Sequence, residues 1–435
     1  MEKYCANLID GRYTADMLDS QLIRHRDRLR GLLSFVRQRV PYYREIIPSE
    51  VENLVANGEQ WRQIPLLEKR QIQSDWNSFL SDPDVVHDQA AKLLATSGST
   101  GVPLKIVRPK HELIIQTKRL WAARARWHAD IMQWKTLHLF KVESSHQDVF
   151  LYGNSYLNRN DFFNISWQAL ADFSPQLEAY APDWIYGSPS EVYRLAEYYR
   201  RQQRTIPTLK LIEVSGEALQ THVRDLIEHV FNCPVINQYG CREFWVLAYE
   251  CPARQMHAWP DDLLLEVIRD GKPVLAGEVG ELVVTSLTNR LMPLIRYRLG
   301  DFVQMSPSRC SCGNPKPILM PEGGRVGNLI VTRDRVVTTA ILNVLFSKFI
   351  RQHDNSIFEY QIMQTDLDHF DVSIVPGCGF SDEATIPQLK EEFKQVLPEV
   401  TCNFIVSSEV LHLPSGKTQS FFSKLKASPA LPSKV

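Results

Sequence analysis

Two groups of residues in this chain have types and spacings suited to chemistry. The first is the run Leu94-Ala95-Thr96-Ser97-Gly98-Ser99-Thr100-Gly101-Val102-Pro103-Leu104-Lys105. Successive small, hydroxylated and glycine residues let backbone N–H groups approach phosphate oxygens, and the Ser and Thr hydroxyls donate further hydrogen bonds. Lys105 adds a point charge. The run is not a Walker loop, because the Gly-Lys-Ser/Thr ending is missing. Read alone, it serves equally as a flexible linker. The second group is Cys251, His257, Cys310 and Cys312, with Gly313 directly after. Three thiolates and an imidazole could close a tetrahedral, structural zinc site. Three unrelated thiols and a satisfied core histidine fit the same spacing. Both readings stand on spacing alone.

The elements that must position these residues read as an α/β chain. Leu18, Leu22, Leu29, Leu32, Phe35 and Val36 recur at helical spacing until Val40-Pro41, with Arg24, Arg26, Asp27, Arg28 and Arg30 on a face expected to be solvated. From about residue 90 the pattern alternates. Lys210–Val214, Pro234–Asn237 and Glu281–Thr285 read as strands, and Ser190–Arg201 and Leu219–Phe231 as helices. That rhythm predicts a large domain with mostly parallel sheets, residues 1–325. Around Gly323–Asn328 glycine and charge mark a hinge, near 324–328. Beyond it, helices at Val336–Arg351 and Thr385–Leu397 and strands at Glu359–Gln364, His369–Ile374 and Cys402–Val406 predict a small mobile α+β domain over 329–435.

Bulk properties narrow the partners. In 435 residues, Lys and Arg total 49 and Asp and Glu 50, giving a net charge of -1. No large one-signed field is available to hold nucleic acid or an anionic membrane. A small-molecule partner is expected. No stretch reaches membrane-span length and the first residues lack a signal-peptide core, so a cytoplasmic chain with reduced cysteines is expected.

The Ser/Thr/Gly run with its closing Pro103-Leu104-Lys105 resembles the phosphate-binding loop of the adenylate-forming superfamily, which comprises acyl-CoA synthetases, luciferases and peptide-synthetase adenylation domains. Four further segments match in the family's order. Gly216-Glu217-Ala218 resembles the turn packed on adenine. Gln238-Tyr239-Gly240-Cys241-Arg242-Glu243 resembles the Tyr-Gly-x-x-Glu segment, which implies an aromatic ring on adenine and a Glu243 carboxylate on Mg²⁺. Tyr297-Arg298-Leu299-Gly300-Asp301 resembles the segment whose aspartate accepts from both ribose hydroxyls. Pro414-Ser415-Gly416-Lys417 resembles the C-terminal loop whose lysine bridges the acid and the α-phosphate. The resemblance thus implies Thr96, Ser97, Gly98, Ser99, Thr100, Gly101 and Arg325 as further ATP/AMP contacts, with Lys417, Glu243 and Lys105 catalytic.

Within that superfamily the chain is similar to the phenylacetate-CoA ligase group, which includes capsular-polysaccharide-type homologues. Val40–Arg44, Pro182–Ser190, Pro293–Arg298 and Cys310–Gly313 carry this likeness. It implies zinc on Cys251, His257, Cys310 and Cys312, and a pivot at 324–328. Two departures stand out: Gly327 and Asn328 occupy positions where relatives usually carry Asp, and Thr418–Phe421 lacks the basic residue common after the lysine. The implied activity is ATP-dependent adenylation of a small aryl or arylacetic acid, then acyl transfer to coenzyme A. Residues 138–164, with His138, Phe140, Tyr152, Phe162 and Phe163, would line part of the acid pocket. An amine or a carrier-protein thiol as acceptor, a non-catalytic binding protein of the same fold, and a homodimer remain compatible with the sequence.

Overall fold

The computed structural model describes residues 13–87, 90–95, 104–139, 149–152, 155–158, 167–306, 308–325, 329–333, 336–353, 356–377, 379–411 and 420–425. Contacts divide the chain into two compact units, one of residues 1–129 with 239–322, the other of 130–238 with 323–435. The expected pivot at 324–328 lies in the second unit's stretch of chain, and its residues 326–328 fall outside the described residues. No helix among the described residues is long and apolar enough to cross a membrane.

The first unit is organised by the helix Tyr13–Arg39, which buries Leu18, Leu22, Leu29, Leu32, Leu33 and Val36. Pro41 cannot continue its hydrogen-bond ladder, and a second short helix, Pro41–Ile46, starts there. The charged face expected to be solvated has partners: Arg24 and Arg28 pair with Asp261 and Asp262 at 2.8 and 3.3 Å. Gln21 exchanges two 3.0 Å hydrogen bonds with the backbone of Leu265. An antiparallel run of strands follows: Lys272–Pro273, Leu263–Arg269, Val279–Ser286 and Tyr297–Ser306. A separate hairpin pairs Ala91–Ala95 with Lys105–Pro109, and Ala95 faces Lys105 in register.

The second unit contains the parallel strands that the alternating pattern predicts. Thr136–Leu139, Trp184–Gly187, Leu211–Ser215 and Val235–Cys241 pair side by side, all parallel, and the unit boundary falls after Gln238 of the last. Strand alternation gives this sheet two different faces. Leu137, Leu139, Ile185, Ile212, Val214 and Val235 join one core with Val192, Leu195, Leu226 and Ile227 of the helices Pro189–Arg201 and Thr221–Phe231.

The C-terminal stretch forms the expected α+β element, a four-stranded sheet in the order Thr401–Val406, His369–Pro376, Ile357–Asp366, Phe421–Ser423. Helices Ala340–Gln352 and Asp382–Val396 supply its core through Leu345, Phe346, Phe349, Leu389 and Phe393. Still within the second unit, Tyr193 stacks on Phe358 with ring centroids 5.6 Å apart, and Arg194 pairs with Glu359 at 3.2 Å. His222 Nδ1 lies 3.0 Å from Ser347 Oγ, buried at 4% exposure.

Burial, reinforced by the Arg351 charge, pushes the His222 imidazole down to about 3. The native state therefore holds His222 neutral while the unfolded chain takes up a proton below about pH 6.5. Stability should fall as pH drops from 6.5 toward 3, with a slope of at most one proton, about 1.4 kcal/mol per pH unit. His222→Asn keeps a hydrogen-bonding group near Ser347 without that titration. Its urea midpoint should fall less steeply between pH 6.5 and 4 than that of the parent. Equal slopes would show that His222 titrates normally.

Candidate active site

Tyr239 lies on the strand Val235–Cys241, and Glu243 lies in the tight turn that joins it to the strand Trp245–Glu250. Gly240 is required there, because a Cβ would collide with the carbonyl of Trp245. Trp245 itself takes φ +67°, a left-handed conformation that is costly for a bulky residue and is held by its surroundings. Two tyrosine hydroxyls meet the carboxylates. Tyr239 Oη donates to Asp301 Oδ2 at 2.8 Å, and Tyr297 Oη to Glu243 Oε1 at 3.3 Å. Gly300, at φ +83°, lies in the irregular part of the strand Tyr297–Ser306 directly before Asp301, where the register with Val279–Ser286 shifts. Burial, then the Glu243 carboxylate, push the Cys241 thiol well above its ordinary value, and Asp301 adds to this. At this thiol the charges of Glu243 and Asp301 outweigh that of Arg108. A half-exposed carboxylate here is a hard oxygen donor suited to Mg²⁺.

The hairpin of the first unit holds both ends of the Ser/Thr/Gly run, since Ala95 and Lys105 are paired. Lys105 is exposed, and its carbonyl accepts from Trp76 Nε1 at 2.7 Å. Thr96, Ser97, Gly98, Ser99, Thr100 and Gly101 lie outside the described residues, as do Lys417 and Ser415-Gly416. In the second unit, Gly216 follows the strand Leu211–Ser215 at φ +88°, and Gly216 and Ala218 are exposed. Glu217 Oε2 accepts the Ser190 N–H at 3.2 Å, tying this turn to the start of the helix Pro189–Arg201. Gln238 is buried at 9% exposure, and Arg325 ends the strand Ile318–Arg325. Of the expected acid-pocket stretch, 140–148, 153–154 and 159–166 lie outside the described residues.

The cysteine set converges. The ligand atoms of Cys251, His257, Cys310 and Cys312 all lie within 4.8 Å of one another. Cys251 Sγ is 3.6 Å from Cys310 Sγ, and Cys312 Sγ is 3.3 Å from His257 Nε2. A tetrahedral zinc with bonds of about 2.3 Å to sulfur and 2.0 Å to nitrogen needs ligand separations of roughly 3.5 to 3.8 Å. His257 Nδ1 sits 2.9 Å from the Lys316 carbonyl, which leaves Nε2 turned toward the sulfurs. The backbone N–H groups of Cys312 and Asn314 point at Cys310 Sγ and Cys312 Sγ, at 3.5 and 3.4 Å, and Gly313 takes φ +74° to allow it. Donors and spacing fit a closed, structural metal site.

With this geometry in place, the comparisons decide the family. The family model described as AMP-binding enzyme matches residues 41–290. The chain belongs to the AMP-binding enzyme family. Among curated relatives, phenylacetate-coenzyme A ligase of Thermus thermophilus is 26% identical over 321 residues, covering 71% of each chain. Protein CapK of Staphylococcus aureus is 25% identical over 267 residues, 61% of this chain and 58% of its own. The fold matches that of 2-hydroxyisobutyryl-CoA ligase in its postadenylation state at a TM-score of 0.74, with 17% identity over 95% of this chain and 91% of that one. This AMP-binding enzyme is thus phenylacetate-CoA ligase-like within the adenylate-forming superfamily.

Several residues of this AMP-binding enzyme escape a reading by motif. Tyr297 was legible as part of a segment but not as the partner of Glu243. Arg296, at 2% exposure, donates to both oxygens of Glu266 at 3.2 and 2.9 Å, and Glu266 also accepts from Trp61 Nε1 at 3.0 Å. A lone glutamate inside the apolar run Leu263–Ile268 was the available signal. Glu266→Ala would strand a buried guanidinium, a loss of about 3–5 kcal/mol. In the double variant Glu266→Leu with Arg296→Met, most of that loss should return. Denaturation midpoints of the two variants check this, and an equal deficit in both would discount the pair.

Proposed function

We propose that this enzyme uses ATP to adenylate a small carboxylic acid and then passes the acyl group to a thiol, coenzyme A in the first instance. The observation that carries the reading is the pair of tyrosine-held carboxylates, Glu243 and Asp301, on segments that match the family's order. A carboxylate is a poor acyl donor and repels the phosphates of ATP, so positioning and charge neutralisation must do most of the work. Thr96–Gly101 and Lys105 are assigned to the phosphates, Gly216–Ala218 with Gln238, Tyr239 and Gly240 to adenine, and Asp301 to the ribose. Glu243 would hold Mg²⁺, which supplies neutralising charge on the phosphates when bound. Lys417 is assigned to draw the carboxylate oxygen to the α-phosphorus. The P–O bond to pyrophosphate breaks as the new bond forms, leaving a mixed anhydride whose acyl carbon the thiolate attacks with AMP departing. The stretch beyond 329 is proposed to turn about 324–328 between these steps, a gating motion of the usual kind. Arg325 sits at that turning point.

Acid-dependent exchange of pyrophosphate into ATP tests the first step. Lys417→Ala should abolish exchange yet spare transfer from a preformed acyl-adenylate to coenzyme A, whereas Lys105→Ala should chiefly raise the KM for ATP. If Lys417→Ala keeps both half-reactions, another lysine does the work. Adding coenzyme A, an amine or a carrier protein and identifying the acyl product assigns the acceptor.

The cysteine cluster is proposed to hold zinc as a structural clamp, outside the chemistry. Metal analysis should return about one zinc per chain. Cys310→Ser with Cys312→Ser should lose it together with thermal stability. A metal-free parent of unchanged Tm would remove the assignment.

A further inference from the structure

The second face of the parallel sheet is unlike the first. In register, His138, Tyr186 and Glu213 form one row across three neighbouring strands, and Ser215 and Gln238 form the next row toward the carboxyl ends. Leu137, Leu139, Ile185, Ile212 and Val214, which alternate with the first of these rows, are buried in the aliphatic core. Ile236 continues the His138–Tyr186–Glu213 row on the fourth strand, and Trp184 and Leu211 lie deeper on this face. Polar side chains therefore occupy the carboxyl-end half, which is where open parallel sheets bind ligands.

This polarity is buried. Glu213 is 0% exposed, Ser215 8% and Gln238 9%. Tyr186 Oη lies 3.1 Å from Ser215 Oγ, and its ring meets that of His138 edge-on at 5.5 Å. Among the described residues, Gln238 Oε1 is buried with no hydrogen-bond partner, and so is Ser188 Oγ, one residue past the strand Trp184–Gly187. A buried, unanswered polar atom destabilises a protein unless a ligand or water completes it. An amide can be turned end for end, so its missing partner is either donor or acceptor. A hydroxyl serves as both, and an amino group as donor.

We infer that the acid carries a protic substituent, a hydroxyl or an amino group, and that Ser188 and the Tyr186–Ser215 hydroxyl pair select it. A purely hydrocarbon acid would leave the Ser188 hydroxyl buried and unanswered. The inference rests on the adenylation reading and on the assignment of the stretch from His138 onward to the acid pocket. It narrows the substrate class from small carboxylic acids to those that are hydroxy- or amino-substituted.

The test is pyrophosphate exchange with matched pairs of acids: phenylacetate against its ring-hydroxylated and ring-amino forms, benzoate likewise, and propionate against lactate and alanine. ATP binding is measured separately by calorimetry. The parent enzyme should favour the protic member of at least one pair by roughly 10- to 100-fold in kcat/KM. Tyr186→Phe and Ser188→Ala should each cut that preference about tenfold while the KM for ATP stays within about twofold, which a merely structural defect would not do. Equal or faster exchange with the hydrocarbon member of every pair overturns the inference. A preference unchanged in both variants, or ATP binding without exchange on any of these acids, also overturns it. Failure to bind ATP at all overturns the adenylation reading itself.

Discussion

The arrangement in the first unit depends on one buried guanidinium. Arg296 takes φ +49° and is almost fully enclosed. It is answered on both sides, by the Glu266 carboxylate and by the carbonyls of Arg62 and Ile64. An ion pair taken out of water gains little net stability, because desolvation offsets the attraction, but removing either partner is costly. Such a pair acts as a specification more than as a source of stability. Here it fixes where the strand Tyr297–Ser306 begins. The backbone of Arg296 also donates to Thr285 Oγ1 at 2.8 Å, while Leu67 takes up the Arg296 carbonyl at 2.9 Å. Once that start is fixed, alternation dictates which way Tyr297 and Arg298 point.

The parallel strands of the second unit use the same alternation for another end. One face carries Leu137, Leu139, Ile185, Ile212, Val214 and Val235 and anchors two helices. The opposite face can then be polar without costing the domain its core. Gly187 shows how tight the covered face is, since a Cβ there would come within 3.0 Å of the side chains of Leu139 and Val192. Packing at interior density keeps the strands in register. Register in turn sets Tyr186 beside Glu213 and Ser215 beside Gln238.

Much of this was legible in the sequence, and the failures are physical. Helical spacing from Leu18 to Val36 and the proline at 41 fixed the first helix and its end. The Cys-x-Cys-Gly knuckle was legible because glycine at 313 has a specific job, to turn backbone N–H groups to sulfur. Its partners, Cys251 and His257, were readable only as alternatives, since some fifty residues of chain separate them and spacing carries no distance. Arg24 and Arg28 were read as solvated because periodicity sees a helix face and not what packs on it. Buried charge was hardest. Glu213 and Glu266 interrupt apolar strands, and a pattern built on hydrophobicity treats such residues as noise when they mark where the fold is specified.

Four carboxylates of the first unit fall into two kinds, sorted by donor. Glu266 and Glu281 are held by guanidinium groups, Arg296 and Arg298, in multidentate contacts; those to Glu281 are reinforced by Arg298 reaching Glu68 at 3.1 Å. Charge-assisted pairs of this geometry are strong and hard to displace. Glu243 and Asp301 instead receive tyrosine hydroxyls. A tyrosine hydroxyl orients a carboxylate without setting a positive charge of its own against it, which suits a carboxylate proposed to meet a cation or a sugar hydroxyl. The strand that separates the two kinds is a single stretch, Arg296-Tyr297-Arg298. Its arginines face the structural acids and the tyrosine between them faces the functional one. Exchanging the two would leave the fold's anchors weakly held and the site's carboxylate already neutralised. The order of three adjacent side chains thus separates what must stay fixed from what must remain open to ligand.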